Sequence, residues 1–386
     1  MNRAWPFAFY FTYFAGVAFI MPFVVLFYQS LGFSGTQIGL LTGLGPLITL
    51  FSAPFWTGLA DKTLRHRPVM SLVMLIGIIA IISFPFLKAF IPVLLLVGVL
   101  NIFFAPTASF ADSATMHMLA DRKEMYGRLR LGGTIGFGLA APLAGLLVQN
   151  YGLKMAFWGA AAFYFLAFIF SQKFIYSPSP ANVSMTTRMR TLLTDRRWIY
   201  FLTLALVGGL SVAVTNNYLF VYLKELGANE TTMGFALTIG TICEVPVMFF
   251  ANKLIKRFKA YGLLIFATVI TGIRLLLFAA SNTPNALLLL QLLNGFTFPA
   301  LWIAGVSYAD ENAPAGLSTT VQGLFGAASF GVGMAVGGFV GGLLVQNIGG
   351  RGMYLISGYI VLATVTIITL VGWRQLAKPR ALPDTA

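Results

Sequence analysis

Long, uninterrupted apolar runs constrain this chain more than any other feature. "VMSLVMLIGIIAIISFPFL" (Val69 to Leu87) is one of many. About 20 such residues in a helix cross the hydrocarbon core of a bilayer. Hydrophobic residues make up 58% of the 386 positions and charged ones 9%, and a soluble fold of that length has no interior large enough to hide so much apolar surface. In lipid only helices and closed barrels satisfy their backbone hydrogen bonds. The runs are continuous rather than alternating, so they read as helices. The expectation is an all-α protein embedded in a lipid bilayer.

Spans are expected at about 5–28, 36–60, 68–87, 90–119, 131–149 and 153–175, then at about 198–222, 231–254, 261–280, 284–309, 317–346 and 351–374. That makes twelve transmembrane helices in two sets of six. "MNRAWPFAFY" opens a run too long for a signal peptide and reads as the first span. The polar stretch "SPSPANVSMTTRMRTLLTDRRW" is rich in Pro and Ser and reads as a linker. The expected organisation is an N-terminal half at 1–176, a linker at 177–197 and a C-terminal half at 198–386.

The net charge of +14 comes from bases in short clusters between spans, with no stacking aromatics beside them, so no nucleic-acid partner is expected. Positive-inside bias explains the excess. Lys62, Arg65 and Arg67 follow span two; Arg122, Lys123 and Arg128 follow span four; Arg188, Arg190, Arg196 and Arg197 lie in the linker. Lys253, Lys256, Arg257 and Lys259 follow span eight, and Arg374, Lys378 and Arg380 follow span twelve. Both termini are therefore expected on the cytoplasmic face of the plasma membrane, the inner membrane if the source is bacterial. The single Cys243 excludes an intrachain disulfide, and no residue cluster has metal-ligand spacing. No Walker motif is present and no cofactor is expected.

The halves repeat. "GLLVQNYG" (Gly145 to Gly152) recurs as "GLLVQNIG" (Gly342 to Gly349), and Leu31-Gly32 and Gly39 match Leu226-Gly227 and Gly234. Two six-span halves with parallel repeats resemble the major facilitator superfamily. The loop "TGLADKTLRHR" is similar to that family's signature after span two, with Asp61, Lys62, Arg65 and Arg67 on its acid and bases. The resemblance implies that these four form a cytoplasmic gate.

A narrower resemblance is to the lactose permease and phenylpropionate transporter branch of proton symporters. "YGRLRLGGTIGFG" (Tyr126 to Gly138) resembles that branch's entry into span five, which places its substrate-binding carboxylate and arginine on Asp112 and Arg130. "TGIRLLL" places Arg274 on an essential arginine, and "CEVP" resembles an acidic span-eight motif, which points to Glu244. Phe137 stands where the branch stacks a sugar on an aromatic ring. The span-ten histidine and proton-carrying glutamate of the lactose permease fall on Asn294 and Thr297 here, so that proton pathway does not transfer.

An ionised group at mid-bilayer costs roughly 2.5–3.5 kcal/mol on insertion scales, so it faces a cavity and finds a partner. Asp112 is expected to pair with Arg130, while Glu244 has no base close by in its own helix and Arg274 is expected to favour its proton release when the two approach. Glu244 is the first choice for the transported proton and Asp112 the second. Phe137, Asn217, Arg274, Asn294 and Trp302 join Asp112 and Arg130 as candidate substrate contacts, with Asn216 and Asn101 as further candidates. His66 and His117 lie near span ends and read as surface residues. The glycines of spans five and eleven read first as close helix packing.

The expected function is secondary transport of a small organic solute, such as an aromatic acid, sugar or nucleoside, by alternating access with proton symport, in a monomer. A proton-coupled drug or metabolite exporter is the alternative. "GFGLAAPLAG" resembles a glycine-proline motif of facilitator antiporters and favours it, while Ala141 in place of a key glycine speaks against it. A non-transporting sensor or scaffold requires an appended soluble domain, for which no segment is seen. With no nucleophile-and-base set, an enzyme is not expected.

Overall fold

The computed structural model describes residues 4–119, 125–176, 195–313 and 318–377. The described residues are helical, with no strand among them. Eleven helical stretches are long and apolar enough to cross a membrane: α1 (Ala4–Ser30), α2 (Gly35–Thr63), α3 (His66–Phe86), α4 (Phe90–Leu119), α5 (Tyr126–Tyr151), α6 (Lys154–Ser171), α7 (Arg196–Glu225), α8 (Glu230–Phe249), α9 (Lys253–Ala280), α10 (Pro284–Asn312) and α11 (Val321–Gly372). Eleven stretches stand where twelve spans are expected, because α11 is 52 residues long and contains the last two expected spans. Most of the linker, with Arg188 and Arg190, and the bases Arg122, Lys123, Lys378 and Arg380 lie outside the described residues.

The repeated octapeptide explains how α11 is divided. Each copy closes on a glycine at positive φ: Gly152 at φ 89°, ψ 169° and Gly349 at φ 70°, ψ 176°. A side chain would be strained in that region, which is close to glycine-only. Gly152 separates α5 from α6, and Gly349 interrupts α11 at the matching place. Downstream of Gly349, the Gly350 N–H donates to the Glu225 carboxylate at 3.0 Å, so the restarting helix has an acidic cap.

Packing is orderly. In the first set, α1 lies against α5 and α6, α2 against α4, and α3 against α4 and α6. In the second, α7 packs on α11, α8 on α10, and α9 on α10 and α11. The sets meet along α2 with α11 and along α5 with α8. Exchanging α2 with α8 and α5 with α11 turns one interface into the other. Outward faces carry Phe51, Phe55, Leu143, Phe249 and Leu370, all exposed large apolar side chains of the kind lipid solvates.

Lipid tails are as apolar as leucine, so helices gain from contact mainly where backbones approach closely. Glycine makes that approach possible. A Cβ on Gly136 would meet the Phe11 carbonyl oxygen, one on Gly209 the Ser329 carbonyl, and one on Gly39 the Phe339 carbonyl. Gly98 in α4 faces open space. Gly136→Val should lower thermal stability in detergent by about 1–3 kcal/mol through overpacking, whereas Gly98→Ala should hold or raise it, since a helical glycine costs about 0.5–1 kcal/mol relative to alanine. Equal melting shifts for the two variants would contradict the close-approach account.

Candidate functional site

Two polar clusters form where helices lose regularity. In α4 the helix stops at Phe104 and restarts at Thr107, because Pro106 supplies no N–H to continue the ladder. In α10 the turns tighten over Gln291–Phe296, and Thr297 leaves helical geometry (φ −100°, ψ −94°) just before Pro299. Such broken membrane helices turn polar groups toward a protein-lined space.

The first cluster centres on Asp112. Its Oδ1 accepts from the Tyr10 hydroxyl at 2.6 Å and from the Tyr126 hydroxyl at 2.9 Å. The expected ion pair with Arg130 is not formed: among the described residues the ion pair is Asp61 with His66. Two phenols, one from α1 and one from α5, share the Asp112 Oδ1. The Arg130 guanidinium instead lies 4.0 Å from the Phe14 ring centre and 5.3 Å from that of Tyr10, a cation–π arrangement that strengthens away from water. Tyr10 therefore touches both charges.

The second cluster centres on Arg274, only 4% exposed. Its Nη1 donates to Asn294 Oδ1 at 2.7 Å and to Thr297 Oγ1 at 3.0 Å, and its Nη2 donates to Gln291 Oε1. Its Nε is buried with no partner. Arg274 forms no direct ion pair with Glu244. Instead Asn294 stands between them, donating through Nδ2 to Glu244 Oε1 at 2.7 Å. An amide can do this because it carries an acceptor at one corner and a donor at the other.

Arg274 and Asn294 open onto a small pocket of about 30 Å³, lined also by Ser211, Thr215, Asn216, Thr271, Thr297 and Phe298. The expected contacts divide around it. Asn216, not Asn217, is on the wall, because neighbouring helix positions point about 100° apart. Trp302 sits behind the wall, its ring 5.0 Å from Phe330, which meets Phe298 edge-on at 6.1 Å. Phe137 packs against the apolar core. Asp112 and Arg130 lie in the other helix set. Gln291, Tyr10 and Tyr126 were not singled out from sequence, although Gln291 precedes Asn294 by three residues and so shares its face.

At the far end of α2, Asp61 Oδ1 is 2.7 Å from His66 Nε2. His66 is 8% exposed, not a surface residue, and it stacks on Tyr176 at 5.5 Å. Leu64 at φ 56° turns the chain so that the histidine folds back under the acid. Lys62, Arg65 and Arg67 are exposed and form no ion pair with Asp61. The local turn thus selects the nearby imidazole over the solvated bases.

The Asp112 cluster makes a sharp stability prediction. Asp112→Ala removes the shared acceptor of two phenol hydroxyls, leaving the 1%-exposed Tyr10 with only its longer bond to Thr115 Oγ1 at 3.3 Å, at a cost of roughly 1–3 kcal/mol. Arg130→Gln leaves both bonds to Asp112 intact. Thermal unfolding should therefore show the larger loss in Asp112→Ala; a larger loss in Arg130→Gln would mean that the acid depends on the base after all.

Comparison with known proteins agrees with this architecture. Residues 6–356 match the model of the MFS_1 like family. The chain is 24% identical over 371 residues to the maltose permease of Geobacillus stearothermophilus, covering 95% of this chain and 94% of that protein. It is 22% identical over 359 residues to the probable 3-phenylpropionic acid transporter of Escherichia coli (strain K12), covering 92% and 93%. The crystal structure of the nucleoside transporter NupG superposes with a TM-score of 0.85 at 18% identity, over 96% of this chain and 99% of that one. The chain belongs to the MFS_1 like family of the major facilitator type, and it is an integral membrane transporter rather than an enzyme.

Proposed function

We propose that the protein is a proton-coupled secondary transporter of a small organic solute, with two six-helix halves and twelve membrane crossings. The interruption at Gly349 divides α11 into the eleventh and twelfth. The halves rock about a central site and expose it to each face in turn. Both termini, the linker and the Asp61 end of α2 face the cytoplasm on the charge pattern of the loops. On that orientation Asp61, with His66 and the exposed Lys62, Arg65 and Arg67, forms part of the cytoplasmic gate. The working unit is a monomer.

One observation carries the coupling: the line of hydrogen bonds from Glu244 through Asn294 to Arg274 at the edge of the cavity. Substrate meets Arg274, Asn294 and the hydroxyls of the C-terminal half on one side. Asp112, Arg130 and the aromatic groups near them complete the site from the N-terminal half as the halves close. Glu244 carries the proton. Thr297, whose hydroxyl donates to the Asn294 backbone carbonyl at 2.8 Å, has no charge to exchange. Likeness to a sugar permease, an aromatic-acid transporter and a nucleoside transporter supports small organic solutes as the class.

Glu244→Gln fixes the carboxyl position in a neutral form. Proteoliposomes holding this variant should lose uphill, proton-driven accumulation yet still exchange labelled for unlabelled substrate, because exchange needs the site but no net proton release. Accumulation at the wild-type level in Glu244→Gln vesicles would remove Glu244 from the coupling role and leave Asp112 as its successor.

A further inference from the structure

We infer that the cavity at Arg274 takes a small organic carboxylate and that Asn294 ties its arrival to protonation of Glu244. This rests on the reading of the chain as a proton-coupled transporter. Arg274 is the one charged residue on the cavity wall. Its two Nη nitrogens are held by neutral amide and hydroxyl oxygens, and its buried Nε–H has no partner. No carboxylate forms an ion pair with it among the described residues. A cation buried among neutral dipoles is under-compensated. An anion with an oxygen at Nε supplies both the missing hydrogen bond and the missing charge. Phe298 offers the same cavity an apolar wall for the rest of the molecule.

Charge counting supplies the coupling. With Glu244 ionised, the empty cluster sums to zero against the charge of Arg274. With a proton on Glu244 and a carboxylate on Arg274 the sum is again zero. Either load alone leaves a net charge to be carried through a low-dielectric barrier, which disfavours the crossing. Empty and fully loaded forms therefore cross, and proton and anion move together. Asn294 is a positioning residue here. Its Oδ1 faces the cation and its Nδ2 faces the acid, so a change of charge at either end is felt through one planar amide.

Thermal shift of the purified protein separates the solute classes. Benzoate and 3-phenylpropionate should raise Tm with concentration, by mass action on the folded state, while benzamide and 3-phenylpropionamide should bind at least about tenfold more weakly. Arg274→Gln should lose the response to both carboxylates. Asn294→Ala should weaken the response and, at saturating carboxylate, reduce the proton uptake that accompanies binding in weakly buffered solution. Equal stabilisation by the amides, stabilisation by maltose or uridine alone, no response to either carboxylate, or a full carboxylate response in Arg274→Gln overturns the assignment. Stabilisation by a neutral solute overturns only the carboxylate class; failure of proton-driven accumulation in wild-type vesicles overturns the transporter reading beneath it.

A different observation carries a second inference: the structure assigns the repeated octapeptide the role of a paired latch on one face. Gln149 Oε1 accepts from the Thr231 hydroxyl at 2.7 Å and from its N–H at 3.4 Å. Gln346, the same residue of the second copy, accepts from the Thr36 N–H at 2.9 Å and from its hydroxyl at 3.3 Å. Thr36 and Thr231 each stand second in their helix, where a backbone N–H lacks an intrahelical acceptor. Each glutamine thus caps a helix of the opposite set. Beneath each latch the backbones touch: a Cβ on Gly35 would meet the Gly342 carbonyl, and one on Gly145 the Glu230 carbonyl. Both latches lie at the end of α2 opposite Asp61, so they hold that end shut while the other opens.

Spin labels on Lys88→Cys and Lys224→Cys, both exposed and one in each set, in a Cys243→Ser background read the separation at that end. Gln149→Ala with Gln346→Ala should add a longer-distance population, shifting the closed-to-open ratio by about 10- to 30-fold. Gln149→Glu with Gln346→Glu keeps an accepting oxygen at each latch and should keep the short distance. An unchanged distance distribution in the double alanine variant, or opening by the glutamate pair to the same extent, overturns the latch.

Discussion

A charge inside a hydrocarbon slab must be answered by the protein itself, and the rest of this structure is arranged around that demand. Arg274 is answered by three side chains, Gln291, Asn294 and Thr297, all from one short stretch of α10. A regular helix spreads positions 291, 294 and 297 along one face over more than a turn. In the tight turns over Gln291–Phe296 side chains three apart eclipse one another, so the three line up facing one guanidinium. The irregularity before Pro299 is thus what allows a cation to be buried there. The break in α4 at Pro106 stands in the same relation to Asp112, whose carboxylate is answered by phenols from two other helices.

The same demand explains why neutral partners suit a transporter. A tight Arg274–Glu244 ion pair would be self-sufficient, and a solute would have to break it. Interposing Asn294 leaves both charges partly unanswered while their hydrogen bonds are kept. That is a state which a ligand and a proton can improve. Glycine provides the complementary mobility. At their glycines the α2–α11 and α5–α8 seams bring backbone against backbone, and capping bonds at one end add to the hold on that face.

The membrane-spanning runs were plain in the sequence, because a continuous apolar stretch has few other uses. The repeat was plain too, down to Gly152 and Gly349, whose shared backbone conformation is what the matched glycines encode. The site was legible as residues but not as partnerships. Arg274, Asn294 and Glu244 stand out as polar groups in apolar helices; that they form a chain with the amide in the middle depends on how α8, α9 and α10 are rotated against one another. Asp112 was matched with Arg130 by analogy, whereas Tyr10, 102 positions away, reaches it first. His66 looked like a loop residue because nothing local announces that Leu64 will turn the chain back beneath Asp61.

The central claim is that Glu244 and Arg274 act as one unit through Asn294, the acid gaining a proton as an anion meets the cation. Infrared difference spectroscopy on addition of 3-phenylpropionate reads that event directly, through the C=O stretch of a protonated carboxyl. The account predicts a new protonated-carboxyl band on binding in the wild type, absent in Glu244→Gln and weakened in Asn294→Ala. Binding with no such band, or a band that persists undiminished in Glu244→Gln, would contradict it.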